Sequence, residues 1–128
     1  MKKIDVFDNA TIAKNSAIVG IVNLENEGLV PLYNDTGAAI LIPLTVQFGH
    51  VGGTITLTAA WSLNGTNWVS QAFAGTGDVS SIVSATGTGW DNLLIPAIAS
   101  QVKITCTEDN VAACTLFDLV VGIPSVEE

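Results

Sequence analysis

The sequence predicts an all-β fold, an antiparallel β-sandwich or jelly roll carrying an extended N-terminal arm. Three observations predict it. Val, Ile, Thr, Ala and Gly dominate the chain, and Gly, Asn and Asp punctuate it at short intervals, the composition of many short strands joined by turns. Residues 55–61, 102–106 and 117–123 place apolar side chains at every second position, the period of a half-buried strand. No long window carries the 3.6-residue period of an amphipathic helix.

Read in order, the chain begins with an arm, residues 1–14, in which residues 4–7 are extended. The body, residues 15–124, follows, and a short acidic tail, residues 125–128, ends it. Strands are expected at 17–23, 29–33 (kinked by Pro31) and 38–48. The last of these contains Pro43, which has no N–H for a ladder and therefore marks a bend or a sheet edge. Further strands are expected at 54–62, 68–72, 81–84, 92–95 (running into Pro96), 101–107 and 115–123, the last with Phe117, Leu119, Val121 and Ile123 on one face. The sequence Ser62-Leu63-Asn64-Gly65-Thr66-Asn67-Trp68 joins two of these strands. Asn-Gly tolerates positive φ and predicts a tight hairpin there. Gly49–Gly53, with His50 among three glycines, reads as another turn with an exposed histidine.

At 128 residues the chain is long enough for one well-formed core. Hydrophobic residues are 48% of it and charged residues only 12%, about half the usual charged share. No apolar run approaches the roughly 18 residues of a membrane-spanning helix, so no membrane partner is expected. A sheet protein this poor in charge leaves weakly polar surface, which suits burial against a partner. Four lysines, no arginine and 12 carboxylates give a net charge of −8. Direct nucleic-acid binding, which needs a basic footprint, is not expected. Lys2, Lys3 and Lys14 lie in the first 14 residues, and Lys103 is the only later basic residue. The aspartates that follow Met-Lys-Lys break any secretory h-region, so a cell-internal route is expected.

Catalytic chemistry is poorly supplied. There is one histidine, no nucleophile elbow, and no arginine to clamp an anion. No cofactor or metal is expected. Cys106, Cys114 and His50 lack zinc-site spacing, and Glu108-Asp109-Asn110 reads as an acidic turn rather than a calcium loop. The two cysteines read as buried thiols. Trp61 sits in an apolar alternation and reads as core. Trp68 and Trp90 are the candidate exposed aromatic contacts.

Residues 55–68, ITLTAAWSLNGTNW, resemble the strand-Ser-x-Asp/Asn-Gly-Thr-x-Trp hairpin of small β-sandwich proteins of tailed bacteriophages. Residues 95–107, IPAIASQVKITCT, look like the strand that follows it in such proteins. Together they cover about a quarter of the chain. Lys103 stands where that strand usually carries Arg, and Asn64 where the turn carries Asp. The resemblance implies a non-enzymatic virion structural protein, first of all a head decoration (cement) protein assembled in the host cytoplasm onto the outer surface of the head. The implied partners are the major capsid protein or other virion proteins, and further copies of the chain, a trimer before a dimer. On this reading Lys2, Lys3, Ile4, Val6, Phe7, Ile12 and Lys14 of the arm hold the neighbour. Alternatives are a tail or head-fibre component, or a carbohydrate-binding jelly-roll module.

Overall fold

A computed structural model describes residues 2–24, 41–73, 81–84, 87–96 and 99–123. Within them lie nine strands: β1 Lys2–Ile12, β2 Ala17–Asn23, β3 Leu41–Val51, β4 Ile55–Ser62, β5 Trp68–Gln71, β6 Ser81–Ser84, β7 Gly87–Pro96, β8 Gln101–Glu108 and β9 Cys114–Ile123. They form two antiparallel sheets. One has the order β1-β9-β3-β7; the other has the order β2-β8-β4-β5, with β6 also lying along β4. The chain changes sheet at six of the eight connections between these strands, so most sequence neighbours face each other across the core. Together with these strand orders, that is the wiring of a jelly roll, and the expected fold class is the observed one. The expected strand at 29–33 lies outside the described residues.

Alternation builds the core. Ile55, Leu57 and Ala59 of β4 and Val102, Ile104 and Cys106 of β8 point inward from one sheet. Leu44, Val46 and Phe48 of β3 and Leu119, Val121 and Ile123 of β9 meet them from the other. Each large side chain fully withdrawn from water contributes about 1.5–3 kcal/mol. Trp61 packs against this core as expected, and its Nε1–H donates to Gln71 Oε1 at 3.2 Å. Pro43 sits where β3 pairs with β7 alone, because β9 joins only from Thr45 onward. That stretch of β3 is a local edge, where the missing N–H breaks no bond to β9.

Two expectations on β9 and the hairpin are adjusted. The pairing of β3 with β9 slips between Gly49 and His50. The slip changes the inward parity, so Leu116 and Leu119 are both buried, while the side chain of Phe117 lies outside the described residues. The Asn-Gly connection is longer than a two-residue turn, since Ser62 pairs with Trp68. Asn64 does not take the left-handed conformation; Gly65 alone does, at φ 79°. Instead Asn64 Oδ1 accepts the N–H groups of Thr66 and Asn67 at 2.8 and 2.9 Å. Ser62 Oγ accepts that of Gly65 at 2.8 Å. Side-chain acceptors close this loop in place of a tight backbone turn.

The segment read as a separate arm folds onto its own body. β1 runs antiparallel to β9, from Lys2 opposite Ile123 to Ile12 opposite Cys114. Pairing satisfies backbone groups that β9 would otherwise leave at a sheet edge. Ile12 is fully buried, and Ile4, Val6 and Phe7 are half-buried against the core. A bulge between Asp5 and Phe7 lets the consecutive Val6 and Phe7 both reach inward. Of the seven residues expected to hold a neighbour, the three lysines stay exposed. The boundary at residue 14 is thus a change of strand within one sandwich.

Gly20 of β2 makes the close approach of β1 feasible. A Cβ there would lie 2.1 Å from Val6 Cγ1 and 3.2 Å from the Phe7 ring. Gly20→Val should therefore cost about 1–3 kcal/mol in chemical denaturation, with faster amide exchange concentrated in β1. Unchanged stability and exchange would show that β1 does not pack across this glycine. Deleting residues 2–12 should destabilise the body, because it removes a paired strand and the buried Ile12 side chain.

Candidate functional site

The outer face of the five-stranded sheet carries an open groove of about 510 Å³. The pleat dictates what lines it. On β8, burying Val102, Ile104 and Cys106 turns Lys103 and Thr105 outward. On β4, burying Leu57 and Ala59 turns Thr58 and Ala60 outward. Register then aligns them, with Ala60 opposite Lys103 and also opposite Ser70 of β5, and Thr58 opposite Thr105. Trp68, Ser70, Lys103, Thr58 and Thr105 give the groove an indole, an ammonium and three hydroxyls, while the Gln71 amide, opposite the inward Ala59, is bonded to Trp61. The Lys103 Nζ lies 4.5 Å from the Trp68 ring centroid, within cation–π range. Trp68, one of the two aromatic contacts expected from the sequence, is therefore a groove wall.

Trp90 is 67% exposed, but on the other side of the molecule. It stands opposite Gln47 on the outer face of the four-stranded sheet. Leu41 and Leu94, also exposed, lie on that same face, as does Lys3, which borders a small recess with Thr45, Gln47, Val120 and Gly122. The two expected aromatic contacts thus belong to opposite faces. Lys2 and Lys14 stand at or near the ends of β1 and do not join either recess.

His50 is not an exposed loop residue. It lies in β3 and is buried, because the strand continues through Gly49 and the turn falls after Val51. Its Nδ1 is 3.3 Å from the Gly52 carbonyl and 3.5 Å from Cys114 Sγ. Cys106 and Cys114 are free and buried, on strands of facing sheets. Burial, and then the neighbouring Cys114, push the Cys106 thiol up to about 12. Burial, and then the Glu108 charge, raise that of Cys114. Such thiols are poor nucleophiles and poor ligands. Among the described residues no group of three His, Cys, Asp or Glu side chains is placed to hold a metal.

The acidic turn holds the least expected group. Glu108 is fully buried, the next inward step of the β8 alternation. Its Oε1 accepts the N–H groups of Asn15 and Asn110 at 2.8 and 2.9 Å. Its Oε2 accepts those of Val111, Thr54 and Ala112 at 3.0, 3.3 and 3.2 Å. One carboxylate thus ties together the β1–β2, β3–β4 and β8–β9 connections. Desolvation by burial opposes the charge, but the converging backbone donors outweigh it and hold the carboxyl at about 2, below its ordinary 4.5. The surrounding backbone is shaped for this, with Asn15, Asn110, Gly52 and Gly53 all at positive φ. The described residues thus form an antiparallel two-sheet β-sandwich whose buried polar groups serve its loops and core.

No protein-family model matches the chain, and no curated protein matches it. Solved structures do. The chain is similar to the Yersinia pseudotuberculosis-derived mitogen, with 11% identity over 99% of this chain and 90% of that one and a TM-score of 0.56. It is also similar to the enzymatically active domain of tailspike protein 4 from bacteriophage CBA120, with 8% identity and a TM-score of 0.52. That match covers 95% of this chain but only 19% of the tailspike chain. At these identities the likeness is one of fold, a small all-β sandwich shared by diverse proteins.

Glu108 gives the protein an acid limit. Its folded-state pKa is depressed, so its contribution is complete above the unfolded value near 4.5 and fades as pH falls towards about 2. Glu108→Gln should lower the melting temperature by several degrees at pH 7, because an amide cannot accept at every site the carboxylate fills. It should also flatten the stability profile between pH 4.5 and 2. Thermal melts across that range test this; parallel profiles for the two proteins would contradict it.

Proposed function

We propose that the protein is a glycan-binding module and that the groove on the five-stranded sheet is its site. One observation carries the reading: an open, preformed groove of about 510 Å³ whose wall is an indole and whose floor carries hydroxyl groups. The volume lies within the range of small-ligand sites. An indole offers a flat apolar surface to the C–H face of a pyranose. Thr58, Ser70 and Thr105 can donate and accept, matching the paired donor and acceptor character of sugar hydroxyls. Jelly rolls serve as lectin domains elsewhere.

The test is a glycan-array screen followed by calorimetric titration. Trp68→Ala should weaken binding by about tenfold or more, and Trp90→Ala should leave it unchanged. Absence of any binding, or loss with Trp90→Ala alone, would overturn the proposal.

The opposite face supports a second reading, assembly on a virion as a capsid decoration protein or as a tail or head-fibre component. There Trp90, Leu41 and Leu94 expose apolar surface on one sheet face, the usual mark of a protein contact. On this reading the four-stranded sheet, not the first 14 residues alone, meets the major capsid protein or another copy of the chain. A trimer or dimer by light scattering that dissociates on Trp90→Asp would support it. A monomer that also fails to bind phage heads would count against it.

A further inference from the structure

We infer that the groove selects acidic saccharides, with Lys103 as the anchor for the anionic substituent; this rests on the glycan-binding reading. Lys103 is the only basic residue after Lys14 in a chain of net charge −8, and it stands in the groove. The Trp68 ring beneath its ammonium holds the charge over the site rather than out in solvent. Among the described residues no carboxylate compensates it. The outward positions of β2, β8, β4 and β5 hold hydroxyl, amide and small or apolar side chains besides Lys103 and Trp68, and no Asp or Glu. Among the described residues, Asp109 accepts the Thr56 hydroxyl at the far end of the face. Thr56 is four residues along β4 from Ala60, the partner of Lys103, roughly 13 Å away. That exceeds the Debye length of about 8 Å at physiological salt.

Among the described residues the groove is therefore locally cationic, in a chain of net charge −8. An ammonium seated on an indole, with no carboxylate partner among the described residues, has donors left for an incoming anion. The hydroxyls of Thr58, Thr105 and Ser70 are placed beside it to take the sugar ring. A carboxylate or a sulfate on the sugar satisfies the same chemistry, and the two are separated by the probes.

Calorimetric titrations would use trigalacturonic acid, a sulfated galactose oligosaccharide and galactotriose as the neutral counterpart. The wild-type protein should bind at least one acidic probe about tenfold or more tighter than galactotriose, and less tightly as salt is raised. Lys103→Gln should abolish that preference while leaving the melting temperature unchanged, and Lys103→Arg should retain it. Equal binding of the acidic and neutral probes, or a preference that survives Lys103→Gln, overturns this inference but leaves the glycan-binding module standing. No binding of any probe, together with a blank array, overturns both.

Discussion

The inward turn of Glu108 is the constraint around which one end of the sandwich is organised. Strand β8 alternates strictly, and after Val102, Ile104 and Cys106 the pleat brings a carboxylate to the inner face. A buried charge is tolerated only where donors surround it. Here those donors are five backbone N–H groups drawn from three connections. Asn15 and Asn110 take the left-handed region as the local cost of aiming them, while Gly52 and Gly53 take it without a Cβ to clash. The same alternation turns Lys103 and Thr105 outward. The residue that locks the loops and the residues that line the groove are thus alternate steps of one strand.

Much of the fold was legible in the sequence because period two is a strong signal. The interiors of β4, β8 and β9 follow directly from apolar alternation. The misreadings share a physical origin, which is that local composition does not report what a segment pairs with. The first 14 residues carry exposed-looking lysines and aspartates and read as an appendage, yet β9 lacks a neighbour on that side and β1 supplies it. Three glycines around His50 suggested an exposed turn, but only Gly52 and Gly53 turn the chain, and Gly49 continues the strand. Glu108 could have been found by extending the alternation of residues 102–106 by one step. Its charge argued for the surface, and only the backbone donors explain why it is inside.

Of the candidate site, Trp68 and Trp90 were both visible as aromatic residues outside the clearest alternation. What the sequence could not supply was sidedness. Whether they form one platform depends on strand order, and β5 and β7 belong to different sheets. Sidedness separates two surfaces of different character. The five-stranded sheet presents a groove with an aromatic wall, hydroxyls and a cation beside the exposed Val19 and Ile21; the four-stranded sheet presents exposed Trp90, Leu41 and Leu94. A module with both can hold a glycan on one side and a protein neighbour on the other, so the glycan-binding and assembly readings do not compete for the same residues.

The most direct measurement of the central claim is backbone-amide NMR mapping of the protein titrated with its tightest-binding oligosaccharide. The account predicts shift changes concentrated at Thr58, Ser70, Gln71, Lys103 and Thr105, with Gln47, Trp90 and Val120 unmoved. Shift changes centred on the Trp90 face, or scattered over both sheets, would contradict it.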